Sequence, residues 1–67
     1  MIHIRLNGQS QSISEELNLA DLLAQLKVDS RKVAVAKNLE VVVRSELDST
    51  KMREGDEIEI FQAVGGG

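Results

Sequence analysis

Cysteine and proline are absent from this chain of 67 residues, which has one phenylalanine, no tyrosine or tryptophan, and a single histidine, His3. Without cysteine there is no disulfide staple, no thiolate metal site and no thiol nucleophile. A lone histidine cannot form the paired ligands of a zinc centre. One aromatic residue, Phe61, cannot build a base-stacking platform, and 8 Lys plus Arg against 11 Asp plus Glu leave a net charge of −3. No basic footprint for nucleic acid exists. The longest unbroken apolar run, Val33 to Ala36, is far short of the ~20 residues of a membrane helix, and the N-terminus lacks the basic and then apolar segments of a signal peptide. The composition therefore reads as a soluble, cytoplasmic protein, monomeric when free, with neither nucleic acid nor membrane as partner.

A single small domain follows from the length, and such a domain hides only ~60% of the surface its unfolded chain exposes. A catalytic cavity would compete with the core for the same few apolar residues. The chain is read as a non-enzyme, with no metal or cofactor bound to itself.

Ile2, Ile4 and Leu6 alternate with His3 and Arg5, the period of a strand with one buried face. Asn7-Gly8 supplies a tight hairpin turn, and Gln9 to Ile13 is the polar return strand at an edge. Leu19, Leu22, Leu23 and Leu26 share one stripe of a helix predicted over 19–27, capped by Asn18, with Asp21 in its first turn and Leu17 positioned to staple Leu22. Strands are then expected at Val33 to Lys37 and from Glu40 or Val41 to Arg44, with a short helical turn or loop at Ser45 to Thr50. After the turn Arg53-Glu54-Gly55-Asp56, a last strand runs from Glu57 to Gln62 with Ile58 and Ile60 on one face and Glu57, Glu59 and Phe61 on the other. The order is β β α β β β, an α+β domain of four to five strands with one helix across one face. The expected core is Ile2, Ile4, Leu6, Leu22, Leu23, Leu26, Val35, Ile58 and Ile60.

Ala63-Val64-Gly65-Gly66-Gly67 closes the chain directly after that strand. Glycines lose much backbone entropy on ordering, so 65–67 is expected to form a flexible tail appended to a domain spanning 1–64. Such a tail is also thin enough to thread a narrow channel and present a carboxylate inside another protein. That carboxylate is a poor electrophile until joined to AMP, after which a sulfur or nitrogen nucleophile can attack it. A plain linker is the alternative reading of a glycine run.

Taken together, Ile4-Arg5-Leu6-Asn7-Gly8, Leu22-Leu23-Ala24-Gln25-Leu26, Val33-Ala34-Val35-Ala36 and the segment from Arg53 to Gly67 resemble the ThiS family of sulfur carriers in thiamine thiazole synthesis. These are ubiquitin-like proteins of the β-grasp fold. The resemblance implies that the first and last strands are parallel neighbours in mid-sheet. It also implies that the Gly67 carboxylate is adenylated by an E1-like (ThiF-like) adenylyltransferase, becomes a thiocarboxylate with sulfur from a cysteine desulfurase, and passes that sulfur to a ThiG-like thiazole synthase. ATP and its metal ion would belong to the activating partner, and Gly65 and Gly66 would thread the partner's active site. Three departures stand out: Lys37-Asn38-Leu39-Glu40 replaces the usual Asn-Gly turn, Val43 stands where proline is frequent, and Leu47 stands where an aromatic is frequent. The related small subunit of molybdopterin synthase is the first alternative; a ubiquitin-like modifier joined to target lysines is the second.

Phe61, Ala63 and Val64 form the expected partner-recognition patch beside the tail, extended by Ala34, Ala36 and Val42. Burial of Phe61 in a secondary cluster is the competing reading. Glu54, Asp56, Glu57 and Glu59 place negative charge near the tail, either to steer docking or simply as a solvated face.

Overall fold

The computed structural model describes residues 1–62. It contains strands β1 (Ile2–Leu6), β2 (Gln9–Ile13), β3 (Val33–Lys37), β4 (Glu40–Val42) and β5 (Glu57–Gln62) and one α-helix, α1 (Leu19–Gln25). One turn of 3-10 helix occupies Ser30–Lys32 and two turns occupy Arg44–Ser49. The five strands form one mixed sheet in the order β2-β1-β5-β3-β4. β5 is central: it runs parallel to β1, with Leu6 opposite Ile58, and antiparallel to β3, with Val35 opposite Ile60. The expected architecture and the parallel first and last strands are both observed.

Register assigns the faces. Side chains opposite one another share a face, so Ile4, Leu6, Val35 and Ile58 all point toward the helix. With Ile13, Leu19, Leu22, Leu23, Leu47 and Met52 they form the buried cluster, and Ile2, Leu17, Val28, Val33, Val42 and Ile60 pack around it half-buried. Each fully buried aliphatic side chain contributes ~1.5–3 kcal/mol, so a domain this small depends on almost every one of them.

Two asparagines at hairpin tips tie β5 in place. Asn7 and Gly8, at φ 49° and 84°, form the two-residue turn between β1 and β2. Asn38 and Leu39, at φ 51° and 71°, form the corresponding turn between β3 and β4, so the unusual Lys37–Glu40 connection is a tight hairpin with leucine at the position that favours glycine. Asn7 Oδ1 accepts the N–H of Ile60 (2.9 Å), and Asn38 Oδ1 accepts that of Glu57 (2.9 Å).

The helix begins as predicted and ends early. Asn18 Oδ1 caps it by accepting the N–H of Asp21 (2.7 Å), and Asn18 Nδ2 donates to the Asp48 carbonyl (3.0 Å). At the other end the Lys27 N–H donates to the Ala24 carbonyl (3.1 Å) and the Val28 N–H to the Leu23 carbonyl (3.0 Å), with Lys27 at φ 59°. These are the paired bonds of a Schellman stop, here with lysine where glycine is favoured. Leu26 consequently becomes the C-cap and is 37% exposed instead of joining the core. Leu47 and Met52 take the space below the helix, from a 3-10 turn and a loop whose sequences carry no period.

Candidate functional site

β5 is followed directly in sequence by the last five residues, so its C-terminal half and the neighbouring strands form the candidate platform within the described residues. Ala63, Val64, Gly65, Gly66 and Gly67, all named as site residues from the sequence, lie outside the described residues. Phe61 lies within them. It is 51% exposed, on the face of β5 turned away from Ile58, and sits opposite Ala34 of β3. Burial of Phe61 in a secondary cluster is thereby excluded.

The sheet's helix-free face carries this platform. Ala36 lies opposite Glu59 on β5 and opposite Val41 on β4, so Ala34, Ala36, Val41 and Phe61 share that face. Val41 is 72% exposed. Ala36 is buried but stands apart from the core cluster, at the floor of the patch instead of on its surface. Val42 does not extend the patch: opposite Val35, it packs against the core. Val41 takes the place expected for Val42, and the cause is the turn at Asn38-Leu39. Recognising two residues at positive φ there sets the register and puts the odd-numbered valine outward.

Charge is distributed differently from the expectation. Glu54 and Asp56 precede β5 and so lie a strand's length, ~20 Å, from its C-terminal end. Both also have structural work. Glu54 Oε1 accepts the His3 N–H (2.9 Å) while its Oε2 lies 3.4 Å from His3 Nδ1, and Asp56 Oδ2 accepts the Arg53 N–H (2.8 Å) while its Oδ1 accepts Asn38 Nδ2 (3.0 Å). Only Glu57 and Glu59 share the open face with Phe61, and Glu57 stands opposite Arg5. Near Gln62 the ionic contact among the described residues is Asp29 with Arg31. The guanidinium donates from Nε to Oδ1 and from Nη2 to Oδ2, each at 3.2 Å, and the Arg31 backbone N–H adds a bond of 2.9 Å to Oδ1. Those side-chain hydrogen bonds hold the Asp29 carboxyl below its ordinary range and raise Arg31.

Among the described residues no three His, Asp or Glu side chains converge as a metal-holding group, and no helix is long and apolar enough to cross a membrane. The described portion presents an apolar patch of Ala34, Val41 and Phe61 on the helix-free face of the sheet.

Comparison with known proteins agrees with this arrangement. The model of the ThiS family matches residues 4–67. The crystal structure of a thiamine biosynthesis protein (ThiS) from Geobacter metallireducens superposes with a TM-score of 0.85 at 35% identity, covering 98% of this chain and all of that one. A thiazole synthase of Paramagnetospirillum magneticum is 42% identical over 62 residues, 92% of this chain, and one of Magnetococcus marinus is 36% identical over 64 residues, 96% of this chain. The chain spans about a fifth of the length of those two synthases, 19% and 20%.

Proposed function

Because the chain belongs to the ThiS family, with the family match running from β1 through the terminal glycines, we propose that it is the sulfur carrier of thiamine thiazole synthesis and that the carboxyl carbon of Gly67 is its working atom. In the cycle, an E1-like adenylyltransferase joins the Gly67 carboxylate to AMP with release of pyrophosphate. A persulfide whose outer sulfur comes ultimately from a cysteine desulfurase then displaces AMP to form an acyl persulfide, and a thiol reductant cleaves its S–S bond, which leaves the thiocarboxylate on Gly67 and a disulfide on the donor. Thiazole synthase takes up that sulfur. ATP and its metal ion reside on the activating enzyme, and the carrier contributes a substrate carbon and a docking surface.

The match over residues 4–67 carries this reading, because it spans the fold and the glycine terminus together. Partnership with thiazole synthase draws support from the two relatives of that name in which a similar segment is part of a longer polypeptide. The β5 geometry fits as well: Phe61 is exposed on the strand that leads into the tail. Gly65 and Gly66 thread the partner's channel, where any side chain would add width, while Phe61, Ala63 and Val64 make contact at its mouth.

Intact mass spectrometry of the protein isolated from its host tests the reading, since exchange of one carboxyl oxygen for sulfur changes the mass. A thiocarboxylate at Gly67 is expected. Isopeptide conjugates to other proteins, with no thiocarboxylate, would instead make the chain a protein modifier. Deleting Gly67 is expected to abolish ATP-dependent activation and leave thermal stability unchanged; activation of the truncated chain at the normal rate would end the carrier mechanism.

A further inference from the structure

β4 lies at one edge of the sheet and pairs only with β3. Lys37 and Glu40 flank the two-residue turn as a hydrogen-bonded pair, and such pairs recur at every second residue, so Val42 bonds inward to Val35 while Val41 turns its N–H and C=O to the open edge. Val43 continues the extended backbone, at φ −67° and ψ 150°, and its N–H points the same way. Its carbonyl accepts the Glu46 N–H at 2.9 Å. Exposed edges are usually blunted by proline, lysine or a bulge. Glu40-Val41-Val42-Val43-Arg44 contains neither residue, and β4 pairs with β3 in unbroken register. Val41 and Val43 are 72% and 54% exposed.

The same five residues are complementary to themselves. Under a two-fold axis through Val42, an antiparallel second copy sets Val41 against Val43 and Glu40 against Arg44, each pairing occurring twice. The backbone admits this register, because it opposes the two residues whose N–H groups face the open edge. Each Val43 N–H then donates to the Val41 carbonyl of the other copy. Glu40 and Arg44 are exposed and have no ion-pair partner among the described residues, where the ion pairs are His3 with Glu54 and Arg31 with Asp29. The neighbouring registers that the backbone also admits set Glu40 or Arg44 against Val42 and lose both charge pairs.

We infer that β4 is a self-association edge, at which a second copy of this chain adds its own β4 in antiparallel register and makes one continuous sheet of the two. The inference stands independently of the sulfur-carrier reading. Val41 lies on the helix-free face opposite Ala36, and Val43 follows it on that face by alternation. The valines of the two copies therefore cover one another at the seam, while the charges of Glu40 and Arg44 close its ends. Arg44 begins the 3-10 turn, and the length of its side chain allows the pair to form there. Sheet extension leaves the face itself open, Phe61 included. The seam is only a few residues long and falls below the ~1,200 Å² of stable interfaces, so association is weak and the dilute chain remains the monomer expected from its composition.

Sedimentation equilibrium of the full chain over a range of concentrations tests this, with thermal midpoints alongside. The average mass is expected to rise from monomer toward dimer and no further, since a two-fold seam closes on itself. Val43→Pro removes the outward N–H at a φ that proline adopts, so the midpoint is expected to hold or rise while dimerisation weakens about tenfold or more. Glu40→Arg and Arg44→Glu each set like charges opposite one another and are expected to weaken dimerisation about threefold to tenfold. An equimolar mixture of those two variants is expected to recover it, because each is complementary only to the other. A wild-type mass that stays monomeric at every concentration would overturn the proposal. So would association that survives Val43→Pro and is lost in Phe61→Ala, which would place the contact on the open face, or a mixture that associates no better than its components, which would remove the register. Should Val43→Pro lower the midpoint, the charge variants and their mixture decide the matter.

Discussion

The side-chain carbonyl of Asn7 accepts the backbone N–H of Ile60 at 2.9 Å, continuing the parallel pairing of β1 and β5 after β1 has turned away. The Asn7 N–H meanwhile donates to the Ile58 carbonyl (2.9 Å). One residue thus closes the first hairpin and holds the strand that precedes the C-terminal residues. Three substitutions separate its roles. Asn7→Asp keeps the acceptor and is expected to stay near wild type. Asn7→Gly keeps the positive φ but strands the Ile60 N–H, a loss of ~1–3 kcal/mol, and Asn7→Ala, which also strains the turn, falls further. Urea midpoints in that order check the assignment.

Leu39 presents the opposite case, a side chain that costs stability. It sits at φ 71°, is 81% exposed, and occupies the second position of a turn that favours glycine. Leu39→Gly relieves ~1–2 kcal/mol of left-handed strain and gives back part of it as unfolded-state entropy. A net gain of up to ~1 kcal/mol in denaturant unfolding is expected. A loss would show that the exposed leucine makes a stabilising contact.

The two hairpin turns also show what the sequence made legible. Alternation in Ile2–Leu6 and Glu57–Gln62 reported the buried faces, because a strand on one sheet face has a strict period of two. Asn7-Gly8 announced its turn, since glycine tolerates the required φ. Asn38-Leu39 marked only a break between two strands, because leucine is not a turn residue and its tight two-residue form follows from the pairing of β3 with β4. Leu47 and Met52 were invisible for a related reason: 3-10 turns and loops present no repeat by which a buried side chain can be recognised. Leu26 was misplaced because the helical stripe continued in the sequence past the point where the Lys27 backbone stops the helix. Phe61 could be placed because it lies in the strand with the clearest alternation.

Acid stability reports on Asp29. The Arg31 hydrogen bonds depress its carboxyl in the folded protein, so its contribution is present above the unfolded value, ~3.9, and is lost as pH falls through the lower folded value. Asn at this position preserves a capping oxygen for the Arg31 N–H and removes the charge. Asp29→Asn is therefore expected to be less stable than wild type above pH ~4, with the difference shrinking as the medium is acidified further. Thermal midpoints from neutral pH into the acid range test this, and a constant difference across the range would remove the ion pair as its source.

Phe61→Ala separates recognition from folding. A Phe in a core loses ~3–5 kcal/mol of folding stability on truncation to Ala, enough to threaten so small a domain. Phe61 is half exposed on the helix-free face and stands outside the buried cluster, so its truncation is expected to cost about 1 kcal/mol of stability, in the range of partly exposed positions. Binding to the adenylyltransferase is where the larger effect is expected. Phe61 shares its face with Ala34, Val41 and the floor residue Ala36, an apolar patch on the strand that carries the tail, and loss of a central aromatic from such a patch weakens binding by ~1–3 kcal/mol. That corresponds to roughly five- to 150-fold in the dissociation constant. Both quantities are measurable on one preparation, by denaturant titration and by equilibrium binding. A midpoint close to wild type with weakened binding keeps Phe61 at the interface, whereas unchanged affinity would move the contact to the other exposed apolar groups of the patch, beginning with Val41.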